Sequence, residues 1–198
     1  MKTTNQKRMS TETMVIGAVM TAFVIVLQLL ATFTTFFGPF STAIGLVPIV
    51  IGAALCGPGV GAWLGFVFGV VVLASGGGNF FFIFDVPGTI ITVLVKGIAC
   101  GLAAGIVYKL CAKINRYVGV IAAAIACPAV NTGVFMLGCA LFFLDSATDI
   151  ASALGSDASG MGVFVVLAMA NFLFELGMNI VLSPVIVRLL NLRKSKKA

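Results

Sequence analysis

The sequence predicts an all-α integral membrane protein of six transmembrane helices with both termini cytoplasmic, and three observations lead there. The first is composition: of 198 residues, 61% are hydrophobic and 9% charged, against roughly 45–50% and about 25% in soluble domains. That surplus excludes a single globular core in water, and the mean hydropathy of +1.20 says the same. The second is that the apolar side chains fall in long runs broken by Gly, Pro or charge. The third is that basic residues gather at the ends of those runs. A hydrocarbon layer about 30 Å thick takes about 20 helical residues per crossing, so six crossings use about 120 residues. Residues 1–198 therefore read as one membrane domain, with no room for a separate ATPase or receptor domain.

The runs place spans near 14–36, 43–56, 59–75, 88–108, 118–144 and 161–190. The first is too long for a cleavable signal peptide and lacks a small-residue cleavage site after a short apolar stretch. The second and third are short, and Cys56-Gly57-Pro58-Gly59 is a turn signal between them. The third carries Gly57, Gly61, Gly65 and Gly69, and the fourth Gly97, Gly101 and Gly105. Residues four apart share a helix face, and a glycine stripe lets a neighbouring backbone approach where lipid supplies no hydrophobic drive. Such a stripe serves either internal packing or a partner surface, and the sequence does not choose between them.

Orientation follows from charge. Lys2, Lys7 and Arg8 precede the first span, Lys109, Lys113 and Arg116 fill the four-five link, and Arg188, Arg193, Lys194, Lys196 and Lys197 end the chain. These are eleven of the twelve Lys and Arg, and they mark the cytoplasmic side. The opposite links carry Asp85, Asp145, Asp149 and Asp157. Trp63, Tyr108 and Tyr117 fall near cytoplasmic boundaries, where amphipathic rings sit. The net charge of +6 is thus a matter of topology and not a nucleic-acid footprint.

The chain has no His, few acids and no clustered nucleophile constellation, so it does not read as an enzyme, and no metal or other cofactor is expected. A P-loop pattern is absent, so the chain is expected to have no nucleotide site of its own. The five Cys are odd in number and all but Cys111 lie within apolar runs, which suits embedded thiols and no disulfide framework.

Ionisable residues within spans are costly and usually functional. Lys96 and Glu175 are the two that need explaining. By the helical rise, Lys96 lies about 12 Å below the outer end of the fourth span and Glu175 about 21 Å below that of the sixth. Asn171, Glu175 and Asn179 recur at intervals of four and so share one face, which cannot look at lipid. Asn131 and Thr132 sit near mid-depth after Pro128, and Gln28 is a further amide in the first span. Two readings stand. Lys96 and Glu175 neutralise each other through the Asn side chains, which needs offset or tilted helices. Alternatively, Lys96 meets an anionic group of a small solute in a pocket open to the outside, with Glu175 and the Asn residues supplying hydrogen bonds. Residues 32–40 and the segment 76–87, with Asn79, Phe80, Phe81, Phe82 and Phe84, are loops able to cover such a pocket, and the rings suit either a ligand or the lipid interface. Residues 145–160 read as a solvated connector.

The stretches Pro48-Ile49-Val50-Ile51-Gly52-Ala53-Ala54-Leu55-Cys56-Gly57-Pro58, Thr92-Val93-Leu94-Val95-Lys96-Gly97, Ala103-Ala104-Gly105-Ile106-Val107-Tyr108-Lys109, Asn131-Thr132-Gly133 and Asn171-Phe172-Leu173-Phe174-Glu175-Leu176, taken in order, resemble the substrate-binding S components of energy-coupling factor (ECF) transporters. The resemblance runs through all six spans. It implies a multi-pass protein of a bacterial cell membrane that binds a water-soluble vitamin on the outer side. It also implies delivery by toppling in the bilayer while docked on a scaffold transmembrane subunit driven by two ATPase subunits. The family's docking feature, small residues four apart on the first helix, is matched by Ala18 and Ala22. Its binding site is matched by Asn79, Lys96, Asn131, Asn171 and Glu175. Lys96 favours a carboxylated solute, with pantothenate the first expectation. Riboflavin is less well served, because Trp63, the only Trp, lies at the wrong end. Other classes remain open: a self-sufficient secondary transporter or channel using Lys96 and Glu175 as an ion relay, or a membrane scaffold without a solute.

Overall fold

The computed structural model describes residues 10–33, 45–153 and 161–195. The described residues are helical throughout: α1 (Thr11–Phe33), α2 (Leu46–Cys56), α3 (Pro58–Ala74), α4 (Asn79–Phe82), α5 (Val86–Cys111), α6 (Arg116–Gly138), α7 (Ala147–Ala153) and α8 (Met161–Ser195). A π-helical turn, Cys139–Phe143, continues α6. The predicted all-α class is therefore found. Four helices are long and apolar enough to cross a membrane, namely α1, α5, α6 with its π turn, and α8. The helices at the second and third predicted spans, α2 and α3, have 11 and 17 residues. At 1.5 Å per residue α2 extends only about 16 Å, half a hydrocarbon layer.

Local chemistry sets the breaks. Ser10 Oγ accepts from the Thr13 backbone N–H and so starts α1. Gly57 takes φ +98°, a conformation that only glycine adopts without strain, and Pro58 follows at the first position of α3. Asn115 Oδ1 accepts from the Tyr117 N–H at 2.8 Å and caps α6. The loop expected over 32–40 lies, beyond Phe33, outside the described residues.

Helix α2 is apolar all round, and the bundle explains why. It packs against α1, α3, α5, α6 and α8, burying Leu46, Ile49 and Val50 completely. An evenly apolar helix fits a site enclosed on every side by protein. The glycine stripes face each other across the α3–α5 contact. A Cβ on Gly61 would strike the Gly101 carbonyl oxygen, one on Gly65 the Gly97 carbonyl, and one on Gly69 would lie 3.0 Å from the Val93 carbonyl oxygen. The pairing descends one helix as it climbs the other, so α3 and α5 are antiparallel and the stripes are used in internal packing. Residues 146–153 depart from the expected solvated connector, and 154–160 lie outside the described residues. Helix α7 buries Ala147 and Ile150 in a second apolar cluster with Phe81, Cys139, Phe143 and Phe164. An Ala, Ile and Ala at 147, 150 and 151 share a helix face, a signal masked in the sequence by the surrounding Ser and Asp.

Candidate functional site

Three helices carry the polar groups. On α8, Asn171, Glu175, Asn179 and Ser183 form a continuous ladder at intervals of four. Asn171 Nδ2 donates to Glu175 Oε1 at 2.6 Å, Asn179 Nδ2 to the Glu175 carbonyl at 2.8 Å, and Ser183 Oγ to the Asn179 carbonyl at 2.9 Å. From α6, Asn131 Nδ2 reaches both carboxylate oxygens of Glu175, at 3.3 and 3.2 Å. Glu175 is 1% exposed and Asn131 2%, so the carboxylate is buried and held by amide donors from two helices. Since the carboxylate accepts, each Asn must turn its NH2 toward it. That leaves Asn131 Oδ1 and Asn171 Oδ1 as buried acceptors without a hydrogen-bond partner, an arrangement that folded proteins seldom leave unanswered.

Lys96 comes from α5, half-buried, with Nζ 5.3 Å from the centre of the Phe135 ring. A cation over an aromatic face gains electrostatic stabilisation in place of water. Lys96, Asn171 and Glu175 line one cavity with Phe68, Val72, Gly77, Gly78, Phe81, Val93 and Phe135. The 9 Å offset in depth expected between Lys96 and Glu175, about six residues of helical rise, does not keep them apart. Span ends are poor depth markers in a bundle whose α8 has 35 residues and α5 has 26.

The cavity has a volume of about 40 Å3, room for about one water, whereas small-molecule sites span roughly 300–1,000 Å3. Gly77, Gly78 and Phe81, from the segment 76–87, cover it. Phe81 is 5% exposed and packs edge-on to Phe135 and Phe143, with ring centres 5.7 and 5.2 Å apart. The apolar side chains of this segment are thus divided: Phe81 fills the cluster above the cavity, while Ile83, two residues on, is 78% exposed. Asn79 opens α4 and is exposed, with its amide against Gly76, and it does not line the cavity.

Of the five residues expected at a binding site, four are therefore brought together: Lys96, Asn131, Asn171 and Glu175. Phe135 was not among the expected residues, although a signal existed. It stands four after Asn131 on the face that bears it. Ala18 and Ala22 are exposed on α1, and Gly17, on the same helix, is buried toward Val60 of α3. Cys100, Cys127 and Cys139 are buried and free. Among the described residues no group of His, Cys, Asp or Glu is arranged to hold a metal ion.

Compared with known proteins, the chain matches over residues 12–187 the family model described as ECF transporter, substrate-specific component. No curated protein and no solved structure matches it. The family match runs from the first turn of α1 to the last turns of α8 and so takes in every helix that meets the cavity. With a multi-pass apolar bundle and a buried polar cluster beneath Phe81, it carries the assignment: the chain belongs to the substrate-specific components of ECF transporters, the membrane subunits through which such importers select what they carry.

Proposed function

We propose that this chain binds a water-soluble vitamin with an anionic group, pantothenate first among them, at the Lys96 cavity and hands it to an ATP-driven ECF complex for import. In this reading the protein lies in the bacterial cell membrane with six spans and both termini cytoplasmic. Its partners are a scaffold transmembrane subunit and two ATPase subunits, and it catalyses no reaction itself. The observation that carries the reading is the separation of roles around the cavity. The Asn131 and Asn171 amides supply the hydrogen bonds to Glu175, while Lys96, from α5, lines the cavity beside Phe135. The unsatisfied carbonyl oxygen of Asn171, which lines the cavity, suits a solute that brings hydroxyl or amide N–H donors as well as a carboxylate. Both properties belong to pantothenate.

Binding requires the cavity to grow, because about 40 Å3 admits no vitamin. The cover has the means: Gly76 takes φ +82° within a run of three glycines, and displacing Phe81 removes the roof. Once a vitamin is enclosed, exclusion of water strengthens its contact with Lys96.

The deciding test is uptake of labelled vitamins into vesicles containing the chain with and without co-expressed scaffold and ATPase subunits. Uptake is expected only in the complete complex. Uptake by the chain alone, driven by a proton or sodium gradient, would replace this reading with the ion-relay transporter. The docking face is tested separately. Ala18 borders an open groove of about 800 Å3 lined also by Gly17, Thr21 and Trp63. Ala18→Trp and Ala22→Trp put an indole on an exposed small-residue face, so transport is expected to fall to background while vitamin binding to the isolated chain is unchanged. Wild-type transport by both variants would move docking elsewhere.

A further inference from the structure

A further recess, larger than the Lys96 cavity, lies at the opposite end of the bundle from the cover. Helices α6 and α8 run antiparallel, with Asn131 meeting Glu175 and Tyr117 facing Val187 and Arg188 across an open groove of about 470 Å3. The floor is apolar: Ile121, Ile180, Pro184 and Val187. Ser183 also borders it, but its hydroxyl already donates within α8. Pro184 has no N–H to return to the Ile180 carbonyl, and helices bend where that bond is missing. At the rim stand Tyr117, 56% exposed, and Arg188, also exposed.

The charge around Arg188 is one-sided. Lys109 in the last turn of α5, Lys113 in the α5–α6 link and Arg116 at the start of α6 stand at the same end of the bundle. Asp85, Asp145 and Asp149 belong to the links at the other end, Glu175 is about 20 Å away along α8, and Glu12 is on α1. Helix α1 packs chiefly on α2 and α3, across the bundle from α6 and α8. A subunit seated on α1 therefore leaves this groove facing the bilayer. A phosphate is the natural partner for an arginine without a neighbouring acid, since a guanidinium holds two of its oxygens at once. Tyrosine sits at headgroup level, and apolar helix faces below it take acyl chains.

We propose that the groove between α6 and α8 binds an anionic glycerophospholipid, with its phosphate on Arg188 and the upper part of an acyl chain along Ile121, Ile180 and Val187. The site is independent of the vitamin cavity. The test is native mass spectrometry of the full chain in detergent, titrated with an equimolar mixture of phosphatidylglycerol and phosphatidylcholine. Phosphatidylglycerol is expected to be retained about fivefold over phosphatidylcholine, the preference that one interfacial arginine supplies. Arg188→Gln brings the two to parity, and Ile121→Trp, which fills the groove with Arg188 in place, lowers retention of both. Added inorganic phosphate at the lipid's concentration leaves phosphatidylglycerol bound, because it lacks the acyl contacts. Parity in the wild type, a preference that survives Arg188→Gln, or displacement by inorganic phosphate would each overturn the proposal. Vitamin binding by Arg188→Gln stays at the wild-type level in every case, so a failure here is distinct from a failure at Lys96.

Discussion

Lys96→Met is expected to lower affinity for an anionic vitamin at least about 100-fold, the effect of removing one partner from a desolvated, hydrogen-bonded charge pair. Methionine keeps the unbranched shape and the contact with Phe135, so the apo protein folds. The measurement is thermal unfolding with and without pantothenate. At a ligand concentration of about 100 times Kd, binding stabilises the wild type by about 2.7 kcal/mol, which raises the midpoint by about 5–10 °C in a chain of this size. In Lys96→Met that rise vanishes while the ligand-free midpoint stays near wild type. The opposite pattern, a lowered ligand-free midpoint with the vitamin shift intact, would make Lys96 a counter-charge to Glu175 and end its role in recognition. The two roles separate because a structural ion pair acts in the empty protein and a substrate contact acts only in the occupied one.

The second large effect is expected at the α3–α5 crossing. A methyl group on Gly65 has nowhere to go: it meets the Gly97 carbonyl carbon and oxygen, which are backbone and cannot swing aside. Overpacking of this kind costs about 1–3 kcal/mol, so Gly65→Ala is expected to lower the unfolding midpoint by about 2–12 °C. Gly65→Leu is expected to yield no monodisperse protein in detergent. Gly133→Ala is the control, since Gly133 is exposed on α6 and an added Cβ there meets nothing within 4 Å. Its midpoint is expected to stay level or rise slightly, because alanine is the better helix former by about 0.8–1.0 kcal/mol. Equal midpoints for Gly65→Ala and Gly133→Ala would mean that α3 and α5 are not in backbone contact in the bilayer.

The same crossing shows what patterning conveys and what it withholds. Glycines four apart announce a face without side chains, and both stripes are visible in the sequence. That one stripe is the other's partner is a matter of distance between segments thirty-odd residues apart in the chain, and only the assembled bundle contains it. A similar limit applies to α2. Its all-apolar sequence is compatible with lipid on every side, yet five helices surround it. In α7 the reverse happened: the three apolar residues that bury it are few, and the Ser and Asp residues around them dominate any reading by composition.

What the sequence alone determined is the all-helical, bilayer-seeking character, the breaks at Gly57-Pro58 and in the basic link between 108 and 118, and the identity of most polar groups that cannot face lipid. Those follow from transfer free energy and backbone geometry, which act residue by residue. Only the tertiary structure decided that Asn131 and Asn171 hold the Glu175 carboxylate, that Lys96 lies over Phe135, that Asn79 stands apart, and that Phe81 closes the cavity. Apart from the Asn171–Glu175 bond within α8, these are relations between segments of the chain. Their energies depend on distances of a few ångströms set by packing, and a linear order of residues carries no such distance.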